Sequence, residues 1–292
     1  MSLAHTVKAW LQLLRPHQYT KNVLLFVPMV FGRRWDLWLE TSLGFVTWNL
    51  MASAIYAFND ARDAASDRLH PSKRFRPVAA GLLSPQAAYL TAFLLGFLSL
   101  GLALTLNKRF AGLAMLYGAN ALLYTLYFKK LALLDTFSIA AGFLLRVYGG
   151  AQLGSIPVSG YLFMTVFFLS LFLALGKRRH ELLLLPTEAA QATRKSLKTY
   201  SVYYLDQLMN ISATLTLTVY ILYLMHASFT WLLGTLPLVV LGIFRYYHLT
   251  HNKSAGEPSR DLFADKMLLL TGAAYSLLAL LEMLEVPFPF TL

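Results

Sequence analysis

The segment Asn59-Asp60-Ala61-Arg62-Asp63-Ala64-Ala65-Ser66-Asp67 gathers the densest set of chemically capable side chains in the sequence. On a helix Asn59 and Asp63 are i and i+4, Asp60 and Asp63 are i and i+3, and Asp63 and Asp67 are i and i+4, so all four share one stripe. Three carboxylates crowded in this way repel each other at neutral pH, and a divalent cation relieves the repulsion. Mg²⁺ prefers oxygen ligands and is commonly shared between one or two carboxylates and substrate phosphates. The plainer reading is a solvated acidic helix end where a span meets water. Like charges at i,i+4 penalise an isolated helix, which favours the cation.

The next stretch carries Arg68, His70, Lys73, Arg74 and Arg76. Carboxylates for Mg²⁺ beside Arg and Lys for phosphate oxygens make a diphosphate site. Any one of these basic residues is equally well explained as a membrane anchor. A second cluster, Lys177-Arg178-Arg179-His180-Glu181, followed by Tyr200, Tyr203, Tyr204 and Asp206, has the same two readings: a phosphate site or a topological anchor. On a helix Lys177 and Glu181 share a face with Arg178 alongside, while Arg179 and His180 turn away. This predicts that loss of Arg179 leaves the reaction rate nearly unchanged. Arg146 stands alone inside an apolar run, Gly142 to Gly150. An intramembrane arginine is costly and marks a functional site by default, the alternative being a structural pairing with a buried carboxylate or helix carbonyls.

The elements that must position these residues are membrane helices. The 292 residues are 57% hydrophobic and 13% charged, against about half and about a quarter in a soluble domain. Mean hydropathy is +0.55. Apolar runs near 37–58, 86–106, 110–128, 132–153, 159–176, 209–225, 228–247 and 267–287 match the roughly 20 residues needed to cross a bilayer. A shorter run, 23–32, contains Pro28 and reads as a short span or a re-entrant piece. Counting it predicts an all-α bundle of nine spans in a single domain, residues 1–292, with the N-terminus inside. The expected outside segments then hold only Arg33, Arg34, Lys108 and Arg109. Every other Lys and Arg except Arg146 is inside. Anchoring thus accounts for most of the net charge of +11 and removes the nucleic-acid reading. The long polar segments 59–85, 177–208 and 248–266 all fall inside, which predicts an active site on the cytoplasmic face. Ser84-Pro85 reads as an N-cap followed by proline at the first helical position. Residues 1–22 lack the apolar core of a signal peptide. No cysteine is present, which excludes disulfides and thiolate metal sites. Walker-type, GxSxG and HExxH patterns are absent, and the remaining histidines are scattered.

The segment Asn59 to Gly81 resembles the first Asp-rich motif of the UbiA superfamily of intramembrane prenyltransferases. The resemblance implies a nine-helix bundle with a Mg²⁺-diphosphate site on cytoplasmic loops after the second and sixth spans. Those are the two loops singled out by the charge map. Members that prenylate an aromatic ring mostly carry a second DxxxD after the sixth span. Here that place holds Lys177-Arg178-Arg179-His180-Glu181, and Asp261 and Asp265 form a DxxxD only before the last span. This departure, with Leu14 to Asn22, Tyr124 to Lys129, Asp135, Gly142 to Gly150, Tyr200 to Met209 and Arg245-Tyr246-Tyr247, is similar to the phosphoribosyl-transferring branch of the superfamily. Tyr19 replaces a usual Trp and Tyr148 a usual small residue.

What the resemblance implies is transfer of a 5-phosphoribosyl group from 5-phosphoribosyl 1-diphosphate (PRPP) to a polyprenyl phosphate such as decaprenyl phosphate. Mg²⁺ would be held by Asn59, Asp60, Asp63 and Asp67, with Lys177 and Glu181 in catalysis. Substrate contacts would fall to Lys21, Asn59, Lys73, Arg74, Arg76, Tyr124, Lys129, Asp135, Arg146, Arg178, Tyr200 and Asp206. Two alternatives stand beside it. One is prenyl transfer from a diphosphate to a small aromatic acceptor. The other is a non-catalytic carrier of phosphorylated lipids, which should show inverted repeats and polar groups on both sides.

Overall fold

The protein is seen here as a computed structural model, which describes residues 3–69, 73–184, 195–226, 231–251 and 264–286. His70, Arg194, Lys253, Arg260 and Asp261 lie outside the described residues. The described chain is helical throughout, without a strand. Its α-helices are α1 (Leu3–Leu14), α2 (Val27–Phe31), α3 (Trp38–Arg68), α4 (Pro85–Leu106), α5 (Lys108–Leu126), α6 (Leu134–Leu153), α7 (Gly160–Leu184), α8 (Val202–His226), α9 (Leu236–His251) and α10 (Lys266–Met283). In lipid every backbone polar group must find an internal partner, so apolar runs of this length close as helices.

Helix starts follow local chemistry. Ser84 caps α4 by accepting from Ala87 N (3.1 Å), with Pro85 opening the helix as expected. Asn107 ends α4 and caps α5, accepting from Arg109 N (2.8 Å) and Phe110 N (3.2 Å). Asp265 caps α10 through Leu268 N (3.0 Å) and pairs with Arg245 (2.8 Å), whose hydrogen bond holds its carboxyl below the ordinary range.

Among the described residues six helices are long and apolar enough to cross a membrane: Pro85–Leu106, Lys108–Lys130, Gly160–Leu183, Val202–His226, Trp231–His251 and Lys266–Met283. The protein is an integral membrane protein. α3 and α6 are not among the six. They carry buried polar side chains along their length: Thr41, Thr47, Asn49 and Ser53 on α3, and Asp135, Thr136, Ser138 and Arg146 on α6. The run at 23–32 is a 3-10 segment, Pro16–Phe26, that passes into the five-residue α2.

The chain divides into two compact units. One comprises Met1–Met29, Asp36–Phe128 and Leu145–Ile156. In it α4 lies along α3, with Ser99 Oγ donating to Thr47 O (2.8 Å), and Trp48 is fully buried against Phe110 and Tyr117. α4 turns Phe93 and Phe97 outward, 70% and 74% exposed. Such an apolar face would be a liability in water and is what a lipid-facing helix presents. The second unit comprises Val30–Trp35, Lys129–Leu144 and Pro157–Leu292. There α7 packs on α8, and Phe172, Leu175, Leu205, Met209 and Tyr246 form its core.

Candidate active site

In the first unit α3 runs without a break from its apolar stretch into its acidic end, so the Asp-rich segment is the continuation of a long helix. Asp60 is 1% exposed and Asp67 is buried, whereas Asn59 and Asp63 are half-buried. Two arginines meet them. Arg15 donates to Asp60 Oδ1. Arg76 Nη1 lies 2.7 Å from Asp67 Oδ2 and 3.4 Å from Asp60 Oδ1. One cationic atom therefore serves two carboxylates a full i,i+7 apart. Asp60 Oδ2 is buried and has no hydrogen-bond partner among the described residues. Burial pushes the Asp60 carboxyl up from its ordinary range, against the pull of Arg15 and Arg76.

Arg15 reaches Asp60 from an unusual backbone. It sits at φ +53°, ψ +58°, between α1 and the 3-10 segment, with Pro16 next. Proline disfavours the right-handed helical region for the residue before it, and a non-glycine residue at positive φ costs of order 1–3 kcal/mol. The guanidinium also lies over the Tyr56 ring (5.0 Å). Sequence reasoning passed over Arg15. The signal available was the Arg-Pro junction.

Asn59 is anchored from α5: the Thr125 hydroxyl lies 2.7 Å from its Oδ1. Tyr124, beside it, is half-buried. Lys73 is half-buried and Arg74 exposed over the Phe75 ring (4.8 Å).

Arg146, on α6, is buried. Nε donates to Asn22 Oδ1 (2.6 Å), Nη2 to Tyr117 Oη (2.9 Å), and the guanidinium covers the Tyr117 ring (4.6 Å). Asn22 in turn donates to Asn49 Oδ1 (2.6 Å). Lys21, half-buried, donates to Gln18 Oε1. Two glycines allow this arrangement. A Cβ at Gly150 would lie 1.9 Å from Leu25 O, and one at Gly149 would lie 2.6 Å from the Trp48 ring. The 3-10 backbone thus rests directly on α6.

In the second unit α7 extends through the cluster, so Lys177 to Glu181 lie on a helix. Arg178 is 1% exposed. Its Nε is 3.1 Å from Asp135 Oδ2, close enough for an ion pair though not aligned as a hydrogen bond, and Nη1 donates to Glu181. Asp135, fully buried, also accepts from Tyr200 Oη (2.8 Å) and from Ser196 Oγ (3.2 Å). Tyr200 Oη accepts from Leu133 N (2.7 Å), which holds Leu133 at φ +67°. Burial raises the Tyr200 phenol, keeping it protonated. Lys129 contributes its carbonyl, which lies 3.1 Å from Ser196 Oγ.

Arg179 follows the helical spacing in its direction. It does turn away from Glu181, but into the protein: Nε donates to Asp206 Oδ1 (2.6 Å) and Nη1 to Thr250 O (2.8 Å), and the residue is 6% exposed. Its loss should cost stability, because among the described residues the Asp206 carboxylate would keep only His251, at 3.5 Å. Helical periodicity tells which way a side chain points, not what waits there. Lys177 remains half-buried.

A model of the UbiA prenyltransferase family matches residues 24–271. The chain belongs to this family. It is 34% identical over 282 residues to the decaprenyl-phosphate phosphoribosyltransferase of Mycobacterium tuberculosis, covering 93% of each chain. It is 34% identical over 277 residues to the protein of that name from Corynebacterium glutamicum, covering 90% of this chain and 82% of that one. Among solved structures it is similar to a UbiA homolog from Archaeoglobus fulgidus bound to GPP and Mg²⁺, with a TM-score of 0.73, 19% identity and coverage of 93% of this chain and 96% of that one. The protein is accordingly a transferase of the UbiA superfamily with the UbiA fold.

The metal expected from the Asp-rich stripe can be tested against the geometry. Among the described residues no three His, Asp or Glu side chains converge as a self-sufficient cage. The stripe does offer two carboxylates to one cationic point, now the Arg76 nitrogen, and a buried carboxylate oxygen without a partner. An all-oxygen, two-carboxylate set completed by substrate oxygens is the set that suits Mg²⁺. The residues fit the ion.

Proposed function

We propose that this protein transfers a 5-phosphoribosyl group from PRPP to a polyprenyl phosphate at the cytoplasmic face of the inner membrane, releasing diphosphate. The observation that carries this reading is the identity over 93% of both chains to a relative named for such a transfer. The site chemistry supports it. Among the described residues Asp135 on α6 and Asp206 on α8 are each paired with an arginine, which supports the acidic end of α3 as the metal-binding element.

Asp60 and Asp67, with Asn59 and Asp63, would hold Mg²⁺ against the donor diphosphate. When bound, the ion would stabilise the leaving group's charge as a Lewis acid. The bond from ribose C1 to the diphosphate oxygen breaks with its electron pair on the diphosphate, and an oxygen of the lipid phosphate bonds to C1. That acceptor is already anionic, so no general base is required, in keeping with a histidine-poor stripe. Arg15, Arg76, Lys73 and Arg74 supply cations for phosphate oxygens. Lys177 is a further candidate for a phosphate contact. Arg178, Tyr200, Asp135 and Asp206 act by shaping their own unit, since each is already bonded within it. In the membrane, α3, α6 and the 16–31 segment would join the six apolar helices to give nine crossings with the N-terminus inside.

The test is incubation of purified protein with PRPP labelled in the ribose, a polyprenyl phosphate and Mg²⁺. A labelled lipid that requires all three is the expected product. The alternative reading is prenyl transfer from a diphosphate, of the kind bound as GPP in the Archaeoglobus structure, to a small aromatic acceptor. Prenylated aromatic with no labelled lipid would establish that reading and overturn the first.

A further inference from the structure

Thr125 carries one hydroxyl proton and meets two partners. Its Oγ1 is 2.9 Å from Ala121 O, one turn back on α5, and 2.7 Å from the Asn59 carboxamide on α3. With Asn59 Oδ1 turned to Thr125, both neighbours are acceptors. One of the two oxygen–oxygen contacts then has no hydrogen between them and is repulsive. A half-turn of the carboxamide about its Cβ–Cγ bond exchanges oxygen and nitrogen almost without steric change. Thr125 then donates to Ala121 O, the usual bond for a threonine inside a helix, and accepts from Asn59 Nδ2. Both contacts carry a proton only in this second arrangement.

The consequence is directional. Thr125 is 2% exposed, whereas Asn59 is half-buried, so the end of the carboxamide away from Thr125 is the accessible one. In the proton-balanced arrangement that end is the oxygen, on the stripe shared with Asp63. An amide nitrogen there would repel a cation, and an amide oxygen would bind it. We propose that Thr125 is a positioning residue that sets the orientation of Asn59, so that Oδ1 and not Nδ2 faces the divalent cation. This rests on the reading that Asn59 belongs to the metal set, and its test separates the two.

The experiment measures Mn²⁺ binding by electron paramagnetic resonance, with inorganic diphosphate present, on purified full-length protein. The variants are Thr125→Val, Thr125→Ser, Asn59→Ala, Asn59→Asp and Asn59→Asp with Thr125→Val, with thermal unfolding as a control for folding. Thr125→Val should weaken Mn²⁺ binding about tenfold, and Thr125→Ser should stay within about twofold of wild type, because serine keeps the hydroxyl. In the Asn59→Asp background both terminal atoms are oxygens and orientation no longer matters, so adding Thr125→Val should change binding by less than about twofold. If Asn59→Ala weakens binding while Thr125→Val does not, Asn59 is a ligand that Thr125 does not orient. A Thr125→Val loss that persists unchanged in the Asn59→Asp background, or that Thr125→Ser shares, would mean that Thr125 acts by packing. Should Asn59→Ala bind Mn²⁺ as wild type does, the ligand reading itself falls, and the role of Thr125 falls with it.

Discussion

The two units use the same ingredients, arginine and carboxylate, to opposite ends. In the second, Arg178 and Asp135 bury each other, with Tyr200, Ser196 and Glu181 bonded around the pair and Arg178 Nε held against Asp135 by charge without hydrogen-bond alignment. Arg179 and Asp206 repeat the pattern against a helix carbonyl. In the first unit Arg76 is spread across two carboxylates, and a buried oxygen of Asp60 is left without a hydrogen bond. A network in which every charge is paired one to one fixes a shape. A network with a spare acceptor can exchange one cation for another. The lesson is that a basic or acidic cluster is read by whether its valences are met inside the fold, more than by its composition.

The largest effect should come from breaking the paired network. Arg178→Ala leaves Asp135 charged and buried and should cost about 3–5 kcal/mol of stability. This is read as a large fall in the detergent unfolding temperature, and an unchanged temperature would show that the pair is not structural. Next, Asp60→Asn should lower the rate at least a hundredfold, about 2.7 kcal/mol of transition-state stabilisation, while the protein remains extractable and folded. A near wild-type initial rate would remove Asp60 from the metal set. Arg179→Ala should cost about 1–3 kcal/mol of stability, from the unmet Asp206 and Thr250 O, with the rate per folded molecule preserved. A rate loss without a stability loss would move Arg179 into the substrate site. Lys177→Ala should cut the rate about tenfold, about 1.4 kcal/mol, at little cost to stability. Equal mild losses at Lys177 and at Lys130 would reduce both to topological anchors.

The smallest effect belongs to a half-buried pair that serves as reference. Arg245 holds the Asp265 carboxyl below its ordinary value. A carboxyl lowered in the folded state adds stability above its ordinary range and loses it as pH falls through the lowered value. Asp265→Asn should therefore destabilise slightly at pH 7 and not at all in strong acid. Unfolding temperatures of the two proteins across pH check this. A difference that grew on acidification would reverse the sign and refute it.

Much of this was legible in the sequence. The i, i+3, i+7 spacing placed the acidic stripe on the helix that leaves the second span, and α3 does run unbroken to Arg68. Ser84-Pro85 announced α4 because a cap is a local matter. What was illegible depended on partners far along the chain. The close seat of residues 16–26 depends on Gly150, far along the chain, and Arg15, one partner of Asp60, lies 45 positions from it. Arg146 was marked by its cost in a span, but periodicity could not name Asn22 and Tyr117 as its partners. The partners of Arg179 were illegible for the same reason, since Asp206 and Thr250 O come from other helices.

The seat of the 3-10 segment on Gly150 also has a consequence in time. Asn22 and Arg146 are 124 positions apart. At a synthesis rate of about 5–20 residues per second, the N-terminal segment waits roughly 6–25 s before α6 has even been made. Through that interval Asn22, Asn49 and the carbonyl of Leu25 lack the surface that later covers them. The N-terminal segment is the first to be synthesised, yet it reaches its final seat late. A bulkier residue at position 150 should therefore show itself first during biogenesis, as a nascent chain whose leading segment stays open to proteolysis after its later helices have been inserted.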